Sequence, residues 1–196
     1  MSTVEFQRKS GESMVAVSGH RVFNDEAAVM GGITQGLLEM LRCWRAERLC
    51  VITSLAEGAD RLVIQAARSI APTRFIAVLP MDEADYKEDF APASAAAFSR
   101  LLAEADAVQV LEGIAQREEA YYRAGVAVLD YCDLLLAVWD GQPARGYGGT
   151  GDIVQLARER KLPLVWVYAA RSGGGAPGGI ESGRVRYERF PEDKKA

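Results

Sequence analysis

Apolar residues along the chain fall into two recurring patterns. Short β-branched and aliphatic runs occur at 14–18 (MVAVS), 49–53 (LCVIT), 74–79 (RFIAVL), 107–111 (AVQVL), 133–139 (DLLLAVW) and 163–168 (PLVWVY). Each has the length and composition of a strand. The stretches between them carry apolar residues every three or four positions, the period of a helix with one buried face. Over 25–44, Val29, Ile33, Leu37, Leu41 and Trp44 share such a face, and Asn24 is the expected N-cap. The pair Gly31 and Gly32 inside that helix predicts either a kink or close packing on the sheet. Further helices are expected over 58–69, with Leu62, Ala66 and Ile70 inward, and over 92–104, 116–131 and 151–160. The acidic stretch with Asp82, Glu83 and Asp85 is read as a loop.

The runs at 133–139 and 163–168 are continuously apolar rather than alternating, the pattern of parallel strands covered on both faces. Strand–helix alternation over most of the chain predicts an α/β fold. The expected form is a three-layer, Rossmann-like, doubly wound and mainly parallel sheet of six or seven strands. The domain is expected over 1–170. A Gly-rich linker and polar tail follow over 171–196, in which 185–190 could add a strand and 191–196 are expected to be disordered.

Composition narrows the function classes. The net charge is −4, which argues against a nucleic-acid surface but leaves room for a small anionic ligand. No apolar run approaches the roughly 20 residues of a membrane span, and the N-terminus lacks a signal-peptide layout, so a cytoplasmic protein is expected. Cys43, Cys50 and Cys132 show no ligand spacing and are read as reduced, buried thiols. No metal and no cofactor are expected, and a homo-oligomer is left open.

In a doubly wound sheet the loops leaving the strands' carboxyl ends lie on one edge, where ligands bind. The chemistry-bearing residues concentrate in those loops. The first strand exits through Ser18, Gly19, His20 and Arg21; the second through Ser54, Glu57, Gly58 and Asp60; the fifth through Asp140, Arg145, Gly148, Gly149 and Thr150. Glycines before a helix let backbone N–H groups approach a phosphate, and Thr150 can cap that helix or donate to the phosphate. Arg21 can hold phosphate or carboxylate bidentately. His20 is the sole histidine and is read as a polar ligand contact or a surface residue. Glu57 and Asp140 can accept ribose hydroxyls or simply sit near helix ends. Tyr122 and Arg123 reach this edge only if their helix begins there. The spacings of a P-loop and of GxGxxG are missing. The expected ligand-binding set is Gly19, His20, Arg21, Ser54, Glu57, Gly58, Asp140, Gly148, Gly149 and Thr150.

These segments resemble the SLOG superfamily of Rossmann-like domains, which includes LOG-type phosphoribohydrolases and the DNA-processing protein DprA. The resemblance rests on Ser18-Gly19-His20-Arg21, on 53–61 (TSLAEGADR), on 133–141 (DLLLAVWDG) and on 148–153 (GGTGDI), and covers most of 14–168. It implies a nucleotide or nucleotide-derivative binding domain, of a sensor or carrier type. LOG-type enzymes place a Glu three residues after the Gly-Thr threonine. Here Ile153 stands there, with Asp152 one residue earlier. Nucleoside deoxyribosyltransferases likewise carry a glutamate that is missing here. Asp152 and Glu57 are the catalytic candidates of the alternative, an N-glycoside-cleaving enzyme. A third alternative is an interaction module with a vestigial pocket.

Overall fold

The computed structural model describes residues 6–171 and 180–190. Its centre is a seven-stranded sheet in the order β4-β3-β2-β1-β5-β6-β7. The strands are β1 (Glu12–Gly19), β2 (Arg48–Thr53), β3 (Thr73–Leu79), β4 (Ala107–Val110), β5 (Leu134–Trp139), β6 (Leu164–Tyr168) and β7 (Val185–Glu188). All neighbouring pairs are parallel except β6 and β7, where Val165 faces Tyr187 in an antiparallel ladder. The fold is the mixed α/β, mainly parallel arrangement expected, and the optional last strand is present. The sheet therefore extends beyond residue 170. The rest of the expected linker and tail, 172–179 and 191–196, lies outside the described residues.

The helices are α1 (Glu26–Trp44), α2 (Ala59–Ile70), α3 (Glu83–Lys87), α4 (Pro92–Ala103), α5 (Arg117–Asp130) and α6 (Thr150–Glu159). Successive strand residues point to opposite faces, and the core divides accordingly. Val15, Val17, Val51 and Leu136 pack with Val29, Ile33 and Leu37 of α1 and with Val63 and Ala66 of α2. Met14, Ala16, Ile52 and Leu135 pack on the other face, with Ala124 and Val128 of α5 and Ile153 and Val154 of α6. The central strand β5 is buried over its whole length. The edge strand β4 alternates between half-buried and exposed residues, as a strand covered on one face does.

Local chemistry explains where the expected boundaries shift. Asp25, not Asn24, caps α1: it adopts the left-handed conformation at φ 54°, and its carboxylate accepts the Ala28 N–H at 3.0 Å. Asn24 instead joins a different segment, its N–H donating to the Ala170 carbonyl. Of the two glycines inside α1, Gly31 faces open space. A Cβ on Gly32 would stand 2.3 Å from the Gly183 carbonyl oxygen, so close packing is what this position requires. The acidic stretch contains a short helix, α3, because the Asp82 carboxylate caps it through the Ala84 N–H at 2.9 Å.

Candidate functional site at the sheet's carboxyl edge

Strand order reverses at β1, which has β2 on one side and β5 on the other. The connections from β1 and from β5 leave towards opposite faces of the sheet, and a crevice opens between them. A cavity of about 610 Å³ occupies this crevice. It runs above the ends of β5, β1, β2 and β3, from Gly149 and Thr150 at one end to Pro80 and Tyr86 at the other. Val17, Ala124, Val128 and Ile153 give it an apolar floor.

Many polar groups at this edge are already committed to one another. Nε2 of His20 accepts the Asp140 N–H at 3.1 Å and the Arg171 Nε–H at 3.2 Å, so its lone pair is engaged and the ring proton sits on Nδ1. Burial holds the imidazole below its usual pKa. Asp140, with Oδ1 3.2 Å from Nε2, opposes this, and the Arg171 and Arg145 charges reinforce it. Arg171 closes the cluster with an ion pair to Asp140 Oδ2 at 2.8 Å, and Asp140 Oδ1 accepts the Gln142 N–H at 3.0 Å. These bonds tie the end of β1 to the ends of β5 and β6.

Asp60 performs the equivalent task at the end of β2. Its Oδ2 accepts the Thr53 hydroxyl at 2.7 Å and the N–H groups of Ser54 at 3.1 Å and Ala56 at 3.3 Å. Burial pushes this carboxyl up in pKa, and those three hydrogen bonds pull against the shift. Gly58 has φ +71°, and a Cβ there would lie 2.3 Å from the Arg21 carbonyl oxygen. Only glycine lets α2 start this close to the β1 exit loop. Arg21 lies 5.8 Å from the ring centroids of Phe90 and Tyr121 and 3.9 Å from Asp89 Oδ2. Asp89 is already paired with Arg117 at 2.8 Å and accepts the Tyr121 hydroxyl.

The loop between β5 and α6 is also well anchored. The Trp139 indole N–H donates to the Gln142 carbonyl at 2.8 Å, and the Tyr147 ring packs against Tyr122 at 4.7 Å. Gly149 occupies the N-cap of α6 and Thr150 its first turn, so Thr150 does not cap the helix as one reading of the sequence had it. The Asp152 carboxylate turns back to accept the Gly148 N–H at 2.9 Å. The uncommitted groups are fewer. Arg145 lines the cavity with no ion pair or hydrogen bond to any described residue. The hydroxyls of Ser18, Ser54 and Thr150 and the carboxylate of Glu118 are likewise unpartnered among the described residues.

Of the expected ligand-binding set, the cavity brings together Gly19, His20, Arg21, Ser54, Gly148, Gly149 and Thr150. Glu57, Gly58 and Asp140 stand beside it without lining it, and so does Asp152. Tyr122 stacks on Tyr147, and Arg123 pairs with Glu119 at 2.7 Å. Ile153, by contrast, lines the cavity. Sequence reasoning passed over Tyr86, Glu118 and Arg171. Tyr86 was hidden in a stretch read as a loop, although its i−4 spacing from Asp82 resembles a capped helical turn. Nothing in the local sequence distinguishes Glu118 from its neighbour Glu119.

No known family model matches the chain, and no curated protein matches it. Among the described residues, no helix is long and apolar enough to cross a membrane. Cys43, Cys50 and Cys132 form no disulfide among the described residues, and of the three expected buried thiols only Cys50 is buried; desolvation pushes Cys50 and Cys132 up to about 12.

Proposed function

We propose that the cavity binds a nucleotide or nucleotide derivative, its phosphate held by Arg145, the Thr150 hydroxyl and the first amides of α6. One observation carries this reading: Arg145, unpaired among the described residues, lines the cavity together with the start of a ten-residue helix at the sheet's switch point. A cation without a partner among the described residues and the Thr150 and Gly151 N–H groups, which no described carbonyl accepts, together favour an anion. A volume of about 610 Å³ lies within the roughly 300–1,000 Å³ typical of small-ligand sites. The reading agrees with the SLOG resemblance and with a sensor or carrier role in a protein that acts away from membranes, in the cytoplasm.

Binding is placed ahead of N-glycoside cleavage. Such cleavage needs a carboxylate beside the developing charge on the sugar. The cavity-lining position after Thr150 is Ile153, while Asp152 is spent on Gly148 and Glu57 lies outside the lining. Calorimetry with AMP, GMP, CMP and UMP against their nucleosides tests the reading: nucleotides should bind at least tenfold more tightly. Equal affinities would refute the phosphate site. Release of free base from these nucleotides, lost in Asp152→Asn or Glu57→Gln, would replace the binding reading with the enzymatic one.

A further inference from the structure

The phosphate end leaves most of the cavity unassigned. Its far end lies above β2 and β3, where Ser54, Asp60, Pro80, Tyr86 and Tyr121 meet. Tyr86 is the unusual member. It is only 1% exposed, packed edge-on against Phe90 at 5.0 Å and Phe98 at 5.5 Å, yet its hydroxyl has no hydrogen-bond partner among the described residues. The sealed polar atoms without partners are Arg61 Nη2, Gln109 Oε1 and the Tyr168 hydroxyl. The Tyr86 hydroxyl is not one of them, so its small remaining exposure is at that oxygen, on the cavity side. A phenol buried to this degree normally finds a partner. Phe would fill the same aromatic cluster without the unmet hydroxyl.

The surroundings limit what that partner can be. Burial, and the nearby Asp60 charge, push the Tyr86 phenol up in pKa, so the group stays protonated and can donate. Asp60 spends Oδ2 on Thr53, Ser54 and Ala56, and no hydrogen bond from a described residue uses Oδ1. The Ser54 hydroxyl is uncommitted and can do either. Arg21, the cation at this end, is engaged by Asp89 and by the rings of Phe90 and Tyr121. A second anion would therefore meet the Asp60 carboxylate with no uncommitted cation lining this end of the cavity; Arg61, whose charge reaches Tyr86 and Asp60, is held on Leu55 and Ser94 and does not line it.

We propose that Tyr86, Asp60 and Ser54 form a second subsite in the same cavity, apart from the Gly149 loop, that recognises a neutral group presenting a hydrogen-bond donor beside an acceptor. The subsite rests on the nucleotide reading and extends it: the ligand is two-ended, with an anion over α6 and an uncharged polar ring edge over β2 and β3. Both the vicinal hydroxyls of a pentose and the edge of a nucleobase have this chemistry.

Tyr86→Phe is the discriminating variant, because the ring stays and the hydroxyl has no partner among the described residues to lose. Thermal melting of the free protein should be unchanged or slightly raised. Titrations of wild type and variant would use inorganic phosphate, ribose 5-phosphate, AMP and 2′-deoxy-AMP. The variant should bind inorganic phosphate as wild type does and AMP about fivefold more weakly, the order of one neutral hydrogen bond. A matching loss for ribose 5-phosphate, with weak binding of 2′-deoxy-AMP by wild type, assigns the subsite to sugar hydroxyls. A loss confined to AMP and 2′-deoxy-AMP assigns it to the base. Undiminished affinity of the variant for every probe overturns the subsite alone. Failure of wild type to bind any probe overturns the nucleotide reading and the subsite with it.

Discussion

Two groups of polar residues share the sheet's carboxyl edge and differ in what they have left to offer. His20, Asp140 and Arg171 satisfy one another, together with Gln142, in a sparsely solvated cluster. Arg145, Thr150 and Tyr86 line the same cavity as His20 and Arg171, but their polar groups have no hydrogen-bond or ion-pair partner among the described residues. The first group looks the more chemical on paper, with the sole histidine and an aspartate at a strand end. Most of its hydrogen-bonding capacity nonetheless goes into holding three strand ends together. The second group is what has bonds left to give a ligand.

The largest effect should come from breaking the committed cluster. Asp140→Ala leaves Arg171 without its anion and the Gln142 N–H without its acceptor, and should destabilise the fold by about 3 kcal/mol, measured by urea unfolding. A loss below about 1 kcal/mol would mean the cluster is not structural. Arg145→Ala reverses the expectation: unfolding unchanged, and nucleotide affinity weakened roughly tenfold, the order of one charge-assisted bond. Arg21→Ala should differ from both, since its guanidinium also packs against Phe90 and Tyr121; it should lower stability and affinity together.

A smaller effect belongs to pH. The folded pKa of His20 is lowered, so below about pH 6.5 the unfolded chain takes up a proton that the folded ring resists. Stability should therefore fall as pH drops through 6.5 towards the folded pKa, and be constant from this source above it. His20→Gln should flatten that part of the profile; an unchanged slope would remove His20 as its origin. Smallest of all is Asp152→Asn. The amide oxygen can still accept the Gly148 N–H, and stability should change by less than about 0.5 kcal/mol.

The strands and most helices were legible because burial on both faces leaves continuous apolar runs such as that of β5, and one-sided burial leaves the period of α1. The edge that holds the cavity was legible for the same reason, since strand–helix alternation brings the loops after the parallel strands to one side. What was not legible is how polar residues divide their bonds. Asp60 reads as a charge near a helix start, yet it organises the β2 exit from a buried position. Asn24 and Asp25 are both good caps, and the contact of Asn24 with Ala170, 146 residues away in sequence, helps decide between them. Tyr86 depends on α3, a helix of five residues whose period is too short to register.

The bond from the Trp139 indole to the Gln142 carbonyl gives the protein a built-in optical reporter. Trp139 ends β5, lies 5.4 Å from Trp166, and carries on its ring nitrogen the first turn of the loop that walls the cavity. The remaining tryptophan, Trp44, sits at the end of α1 against Phe190. Any rearrangement of the 141–149 loop on ligand entry would lengthen or reorient the bond at Trp139 while leaving the surroundings of Trp44 alone. The emission maximum of Trp139 would then track occupancy of the cavity in real time, with no label attached.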